Sequence, residues 1–181
     1  MLKKEILRRN LQEKRKSIPA ALRRRKSRRI REKLFRDPFF RRATHVALYY
    51  GIRPEVETRS FLKGLLKIKN VYLPKVDPEK RTIAFRRVRH LNRDLKKSFY
   101  GIREPKPSCP GRSAGQMDVI IIPGVGFDRA GGRMGRGGGY YDRALRYARK
   151  VPKIGLCFRE QLVKKIPTEK HDVRMDKVIT D

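Results

Sequence analysis

The chain has 181 residues, a length that suits one domain spanning 1–181. Its 49 Lys+Arg against 18 Asp+Glu give a formal net charge of +31, which indicates anionic partners or surroundings. Hydrophobic residues make up 38% and cluster in compact runs, which excludes a disordered chain, and no run reaches the roughly 18 residues of a membrane span. Two cysteines without a CxxC motif exclude a disulfide framework. We expect a soluble, cytoplasmic monomer.

The first predicted elements are two strongly basic helices. Apolar residues at helical spacing predict an amphipathic helix over residues 2–15, and a second helix over about 19–35. Residues 1–42 contain 18 basic and 4 acidic residues. Lys4 and Arg8 lie four positions apart on the first helix, so both cations point the same way, as binding one phosphate group requires.

Strands and helices alternate along the rest of the chain. Alternation of this kind favours an α/β fold with a mostly parallel central sheet and helices on both faces, a Rossmann-like three-layer arrangement. Residues 101–116 are rich in proline and glycine, which indicates a loop. The predicted strands are Val46–Tyr50, Val71–Leu73 (ended by Pro74), Ile83–Val88, Asp118–Ile122, Ile154–Phe158 and Val178–Thr180. The predicted helices are one carrying Phe61 to Leu66 and one from Tyr140 to about Arg149.

The stretch Pro123–Asp142 carries the clearest chemical signal, with the sequence PGVGFDRAGGRMGRGGGYYD. It follows a buried strand and leads into a helix, the position where α/β folds bind ligands, and a helix N-terminus favours phosphate. Glycines let backbone N–H groups approach an anion, and the guanidinium groups of Arg133 and Arg136 match phosphate oxygens. The spacing matches neither a P-loop nor a GxGxxG motif. Phosphate binding is favoured over a flexible glycine hairpin with exposed arginines.

Acidic side chains supply candidate metal ligands, whereas the sequence offers no clear protein nucleophile. Asp142, one turn into the predicted helix, suits Mg²⁺ directly or through water. Asp128 is either a metal or hydrogen-bond partner or a residue that stabilises a turn. Asp176, taken alone, would be assigned to the surface. Cys157 lies in an apolar strand, which indicates a buried and inert thiol.

The segment Met117–Leu145, MDVIIIPGVGFDRAGGRMGRGGGYYDRAL, closely resembles the signature of the 5-formyltetrahydrofolate cyclo-ligase family, also called methenyltetrahydrofolate synthetases. The resemblance covers most of the chain, and shorter matches occur in the right order. These matches are Lys4…Arg8, Arg53–Thr58, Gly101–Pro105, Phe158–Gln161, Ile166–Pro167 and Met175–Val178.

The resemblance implies an enzyme that converts ATP and 5-formyltetrahydrofolate, including polyglutamylated forms, to ADP, phosphate and 5,10-methenyltetrahydrofolate, with Mg²⁺ as cofactor. In the mechanism drawn for the family, the formyl oxygen attacks the γ-phosphate of ATP. The neighbouring folate nitrogen then attacks the resulting iminium phosphate, and phosphate leaves as the ring closes. The protein positions the reactants and stabilises charge, so no protein nucleophile is needed.

The resemblance also assigns residues to each role. The implied ATP-binding residues are Lys4, Arg8, Arg133, Met134, Gly135, Arg136, Gly137, Gly138, Gly139, Tyr140 and Tyr141. The implied substrate-binding residues are Tyr50, Glu55, Arg136, Gly137, Gly138, Gly139 and Tyr140. Arg136 and Tyr140 are the catalytic candidates, and Asp142 and Asp176 are the implied metal ligands. Some relatives carry Lys at the position of Gly138, so a phosphate-binding cation is either absent here or supplied from elsewhere.

A basic nucleic-acid-binding protein is the alternative interpretation. The arginines of residues 1–36 would bind phosphates and account for the charge. That interpretation leaves the glycine-rich stretch, Glu55 and Asp142 without a function, and no stacking aromatics interleave with the arginines of residues 21–33. We therefore expect no specific nucleic-acid partner. Composition alone favours a solvated basic face over a nucleic-acid-binding arm.

Overall fold

The computed structural model describes residues 2–98, 101–169 and 172–181. Within these ranges, the helices lack the length and apolar character that crossing a lipid bilayer requires. The helices are α1 (Leu2–Lys16), α2 (Ala20–Arg36), α3 (Pro38–Arg42), α4 (Arg59–Leu65), α5 (Leu91–Asp94) and α6 (Tyr140–Leu145). The strands are β1 (His45–Ala47), β2 (Asn70–Asp77), β3 (Thr82–Val88), β4 (Leu95–Lys97), β5 (Arg103–Pro105), β6 (Gly111–Arg112), β7 (Val119–Pro123), β8 (Gly126–Phe127), β9 (Arg133–Met134), β10 (Lys153–Leu156) and β11 (Lys177–Ile179).

The central sheet has seven strands in the order β11-β10-β7-β1-β2-β3-β6. The pairings from β11 across to β2 are all parallel, whereas β2–β3 and β3–β6 pair antiparallel. Because β1, β7 and β10 run in the same direction, their carboxyl ends lie at one edge of the sheet, where ligands bind in such folds. The predicted α/β class with a mostly parallel sheet is confirmed.

Helices cover both faces of the sheet, because neighbouring side chains of a buried strand point to opposite sides. Ile121 of β7 belongs to the core cluster that includes Ile30 of α2 and Leu62 of α4. Ile120, the residue before it, belongs to the cluster on the other face with Leu145 of α6. This arrangement confirms the predicted three layers.

Helix α1 packs against the segments that surround the glycine-rich stretch. Its Leu11 is fully buried in a small cluster with Val125, Met134 and Ile166. Burying a leucine side chain contributes about 1.5–3 kcal/mol. The apolar face of α1 is therefore fixed beside the edge of the sheet where a ligand is expected.

The strand predicted to end before Pro74 instead continues through it to Asp77. Its partner β1 ends at Ala47, which pairs with Tyr72, so no β1 residue lies opposite Pro74. A proline is tolerated in a strand where its missing N–H has no ladder partner to serve. The prediction was wrong because register, which decides the cost of a proline, is not visible in the sequence.

Other boundaries also differ from the predicted ones. Strands β1 and β10 and helix α6 end before the predicted residues Tyr50, Phe158 and Arg149. The predicted loop 101–116 contains the short strands β5 and β6. Helix α3 is an element without a sequence prediction, and Asp37 explains it by accepting backbone hydrogen bonds at the helix start.

Candidate functional site

A cavity of about 520 Å³ opens at the carboxyl ends of β1 and β7. We call it the ring cavity, because its walls are mostly apolar and suit a flat ring system. Its main apolar and aromatic lining residues are Tyr49, Tyr50, Ile52, Pro74, Val76, Ile83, Ile102, Val125, Tyr140 and Tyr141. Its charged lining residues are Arg15, Glu55, Arg103, Glu104, Arg133, Arg136 and Asp142.

A second cavity, of about 1020 Å³, adjoins the first, and we call it the arginine cavity. Its basic lining residues are Arg81, Arg143, Arg146, Arg149, Lys153 and Arg174, and its acidic ones are Asp142, Asp172 and Asp176. Gly138, Gly139, Tyr140 and Asp142 line both cavities. The excess of guanidinium groups suits an anion that presents several oxygens, such as a phosphate chain.

The segment 135–139, which we call the glycine loop, forms the boundary between the cavities. Gly137 and Gly139 have φ angles of 107° and 65°, the left-handed region that favours glycine. Helix α6 begins directly after Gly139. Arg8 of α1 donates from Nε to the carbonyl oxygen of Gly135 at 3.1 Å. Thus α1 contacts the start of the loop, and glycine conformations shape its end.

An ion pair crosses the ring cavity and joins two predicted substrate-binding residues that lie 81 positions apart. Arg136 Nη2 is 2.8 Å from Glu55 Oε1, and Glu55 Oε2 accepts a hydrogen bond from the backbone N–H of Ile52 at 3.2 Å. The Glu55 side chain is 12% exposed and that of Arg136 is 55% exposed. The backbone therefore holds the Glu55 carboxylate in place. Arg136 is exposed, so hydrogen-bond donors of a ligand can replace it as the partner of Glu55.

Arg133 points into the protein, where it holds Asp142. Its Nη2 donates to both carboxylate oxygens of Asp142, at 2.9 and 2.8 Å, and its side chain is 4% exposed. Asp142 Oδ1 also accepts from the backbone N–H of Val173 at 3.2 Å. The predicted phosphate-binding arginine thus pairs with the predicted metal ligand, so both residues also fix the base of the glycine loop.

Asp176, the second predicted metal ligand, lines the arginine cavity together with Asp142. Its Oδ2 accepts from the backbone N–H of Lys153 at 2.7 Å and lies 3.0 Å from Lys153 Nζ. Among the described residues, no group of three or more acidic, histidine or cysteine side chains is placed to hold a metal ion. Two carboxylates beside a phosphate site still fit Mg²⁺, which takes one or two carboxylates and completes its shell with phosphates and water.

Lys4, on the first turn of α1, faces the segment that follows β10. Its Nζ lies 2.9 Å from Glu169 Oε1 and 3.1 Å from Asp172 Oδ2. Partial burial lowers the pKa of Lys4, but the hydrogen bonds that Lys4 donates to Glu169 and Asp172, together with the charge of these carboxylates, outweigh this effect, so its pKa is raised. Lys4 and Arg8 therefore reach different partners: Lys4 contacts the edge of the arginine cavity and Arg8 the glycine loop.

The other predicted binding residues with large side chains are partly or fully buried. The Arg143 guanidinium carbon lies 5.7 Å from the centroid of the Tyr140 ring. The Arg59 guanidinium carbon lies 5.4 Å from the centroid of the Tyr50 ring. Met134 is 1% exposed in a core cluster, and its carbonyl oxygen accepts a hydrogen bond from the backbone N–H of Val125, so it lines neither cavity. The ring of Tyr141 is covered by Arg133 at 5.7 Å, and burial raises the pKa of its hydroxyl.

Two further sequence predictions are confirmed. Asp128 stabilises the turn: its carboxylate accepts from the backbone N–H groups of Gly132 at 2.7 Å and Ile166 at 2.8 Å. Cys157 is a free, fully buried thiol, and burial, together with the nearby carboxylates of Asp181 and Glu160, raises its pKa. A thiol of raised pKa is a poor nucleophile.

Most of the cations that line the cavities were not predicted from the sequence, Arg15 and Arg143 among them. Arg15 was hidden within a basic run, although it lies four positions after the buried Leu11 and so shares its face of α1. Arg143 lies next to the predicted metal ligand, and its Nη2 donates to the carbonyl oxygen of Gly138. A cation thus lies beside Gly138, the position at which a phosphate-binding cation was expected to be absent or supplied from elsewhere.

Comparison with known proteins identifies the family. A family model described as "5-formyltetrahydrofolate cyclo-ligase family" matches residues 1–181. The chain belongs to the 5-formyltetrahydrofolate cyclo-ligase family. It is 35% identical over 139 residues to the 5-formyltetrahydrofolate cyclo-ligase of Haemophilus influenzae, an alignment that covers 74% of this chain and 73% of the relative.

Two solved structures of cyclo-ligase relatives have the same fold. The NMR structure of the Aquifex aeolicus 5,10-methenyltetrahydrofolate synthetase matches with a TM-score of 0.88 and 34% identity, covering 99% of this chain and 89% of that one. The Mycoplasma pneumoniae 5,10-methenyltetrahydrofolate synthetase matches with a TM-score of 0.78 and 27% identity, covering 98% of both chains. The predicted family and the prediction of an enzyme are both confirmed.

Proposed function

We propose that this protein catalyses the ATP- and Mg²⁺-dependent cyclisation of 5-formyltetrahydrofolate to 5,10-methenyltetrahydrofolate, with release of ADP and phosphate. The observation that carries the proposal is the pair of cavities that share the glycine loop. A reaction that transfers a phosphoryl group from a nucleotide to a ring-bound formyl oxygen requires an apolar ring site and a phosphate site that meet at one point.

The ring cavity supplies the substrate site. Its apolar walls suit the pterin ring, and the carboxylate of Glu55 accepts hydrogen bonds from the ring N–H and amino groups. Those donors take the place of Arg136, whose 55% exposed side chain then turns to the reacting groups. Tyr50 and Tyr140 line the same cavity and pack against the bound ring.

The arginine cavity supplies the phosphate site. The backbone N–H groups of the glycine loop face the phosphate chain, and Arg143, Arg146 and Arg174 neutralise its charge. Lys4 and Arg8, both on α1, form the side of the phosphate site that faces this helix. Asp142 and Asp176, whose carboxylates accept hydrogen bonds from Arg133 and Lys153, would be the residues that hold Mg²⁺. Mg²⁺ supplies charge neutralisation at the phosphate oxygens.

The chemistry then needs positioning and charge stabilisation rather than a protein nucleophile. The formyl oxygen attacks the γ-phosphorus and ADP leaves. The neighbouring folate nitrogen attacks the formyl carbon, loses its proton, and the C–O bond to phosphate breaks as the five-membered ring closes. Arg136 and Tyr140, at the boundary of the two cavities, stabilise the charge that develops on the transferred group.

The test is a turnover assay that follows the near-ultraviolet absorbance of the methenyl product, from ambient to elevated temperature. We expect a rise that requires the protein, ATP and Mg²⁺ together, with one ADP released for each product formed. Chelation of Mg²⁺ should stop the rise, and its re-addition should restore it. A flat trace at every temperature, with folded protein and authentic substrate, would overturn the proposal.

A further inference from the structure

Arg15, in the last turn of α1, is a buried cation in the wall of the ring cavity. The residue is 5% exposed and lines that cavity. Nη1 donates to the carbonyl oxygen of Gly124 at 3.2 Å, and Nε has no hydrogen-bond partner among the described residues. Among the described residues, no carboxylate lies within ion-pair distance of the Arg15 guanidinium. A buried guanidinium without a bound carboxylate is costly, so a ligand that accepts its hydrogen bonds gains by binding there.

Arg15 lines the ring cavity together with the ion pair of Glu55 and Arg136. Burial lowers the pKa of Arg15, the nearby Glu55 opposes this effect, and Arg136 adds to it. Arg15 lines the ring cavity but not the arginine cavity. Its partner is therefore a group of the ring system rather than a phosphate.

We propose that Arg15 donates a hydrogen bond to the 4-oxo group of the pterin ring and thereby selects the 4-oxo form of the ligand. The inference rests on the proposed function. One edge of a pterin presents two donors, the 2-amino group and the ring N–H, followed by the carbonyl oxygen. A carboxylate such as Glu55 satisfies the two donors, and the carbonyl needs a donor beside it. Arg15 is a buried donor that lines the same cavity as Glu55 and has no carboxylate partner among the described residues.

The conservative alternative is that Arg15 only anchors α1 to Gly124. The two roles differ in ligand selectivity. A 4-amino analogue carries a donor at the position of the carbonyl, so it repels Arg15 where the 4-oxo form binds it. Loss of an anchor would weaken both ligands equally, whereas loss of a carbonyl donor would weaken only the 4-oxo ligand.

The experiment measures the affinity of tetrahydrofolate and its 4-amino counterpart, tetrahydroaminopterin, in the absence of ATP. The variant Arg15→Met keeps the length of the side chain and removes its donors. We expect about a tenfold or larger loss of tetrahydrofolate affinity and little loss for the 4-amino ligand, since a hydrogen bond to a charged donor is worth about that factor. Lys14→Met, on the exposed side of the same turn, is the matched control and should change neither affinity.

A second measurement avoids the risk that Arg15→Met does not fold. In wild-type protein labelled with ¹⁵N-arginine, the Nε–H signal that Arg15→Lys removes should shift when tetrahydrofolate binds, and less when the 4-amino ligand binds. Equal losses for both ligands, or an unchanged Nε–H signal, would overturn the role of Arg15. Failure of the wild type to bind any folate would instead overturn the proposed function, so the two failures are distinguishable.

Discussion

The two cavities differ in how their charges are balanced. In the ring cavity, Arg133 and Arg136 pair with carboxylates at 2.8 Å, and Arg15 is the buried arginine that has no carboxylate within ion-pair distance among the described residues. In the arginine cavity, by contrast, no carboxylate of the described chain lies within ion-pair distance of Arg143, Arg146 or Arg174. The first cavity is electrostatically prepared for a neutral ring with polar edges, and the second for a polyanion.

This difference shows how a strongly basic protein can still hold a neutral ring system. Paired arginines act locally as neutral groups and position their carboxylates, whereas unpaired arginines keep their attraction for an anion. Variants in the ring cavity should therefore affect the folate, and variants in the arginine cavity should affect ATP. A variant of the Arg133–Asp142 pair, which lies between the cavities, should affect the stability of the fold.

The largest effect should come from the buried pair between the cavities. Arg133→Met leaves the carboxylate of Asp142, which is 15% exposed, without its partner. We expect the free energy of unfolding to fall by about 3–5 kcal/mol, the usual cost of breaking a buried ion pair on one side. Denaturant unfolding measures this change directly.

The matched controls for Arg133→Met are a double variant and a surface variant. Arg133→Met with Asp142→Asn should be more stable than the single variant, because no uncompensated charge remains. Arg146→Met removes an exposed arginine of the arginine cavity and should change stability by less than about 0.5 kcal/mol. A single variant as stable as wild type would show that the pair does not hold the glycine loop in place.

The second effect concerns the ring cavity. Glu55→Gln should raise KM for 5-formyltetrahydrofolate about tenfold or more and leave KM for ATP unchanged, because a charged hydrogen-bond acceptor of the ring is lost. The pair with the exposed Arg136 adds little to stability, so the unfolding free energy should change by less than about 1 kcal/mol. Equal increases in both KM values would contradict the separation of the two sites.

The third effect concerns the arginine cavity. Arg143→Gln removes the cation beside Gly138, so KM for ATP should rise about three- to tenfold while KM for the folate stays the same. Arg129→Gln, an exposed arginine outside both cavities, should change neither value. If Arg143→Gln leaves the KM for ATP at the wild-type value, the missing lysine of the loop is not replaced by this arginine.

The fold of this chain can be predicted from local sequence further than its site can, for a physical reason. Hydrophobic runs such as Val119–Ile122 predict a buried parallel strand because burial on both faces leaves no room for polar residues. The path through Pro74 was missed, since it depends on where β1 ends rather than on local sequence. Local patterns therefore predict elements, and strand register decides their limits.

Within the site, the glycine loop is visible in the sequence because close backbone approach requires a run of glycines. The partners of its charges are not visible, because they come from distant segments. Glu55 meets Arg136 across 81 positions, and Arg15 becomes notable only once its burial is known. The ligand roles of these residues, the Mg²⁺ site and the cytoplasmic location stay predictions.

The smallest effect should come from the exposed arginines of α2. The basic residues of α2 face either inward or outward. Lys26 faces inward: its side chain is 12% exposed and pairs with Glu160 at 2.7 Å and Asp181 at 2.9 Å. Arg24 and Arg28, by contrast, face outward. Inward cations hold the C-terminal segment to α2, whereas the outward ones lie on a face that takes no part in either cavity. Replacing Arg24, Arg25, Arg28 and Arg29 by serine should leave kcat/KM within about twofold of wild type at 0.15 M salt, where the Debye length is about 8 Å.

The same variant decides between a solvated face and a nucleic-acid surface. A solvated face predicts weak RNA binding that is lost at physiological salt in both proteins. Tight binding by the wild type that falls steeply with salt, and disappears in the serine variant while turnover stays intact, would establish a second surface alongside the catalytic one. Loss of turnover in the serine variant at 0.15 M salt would instead contradict the separation of the outward arginines from the site, because it would mean that arginines lining neither cavity still act on the reactants.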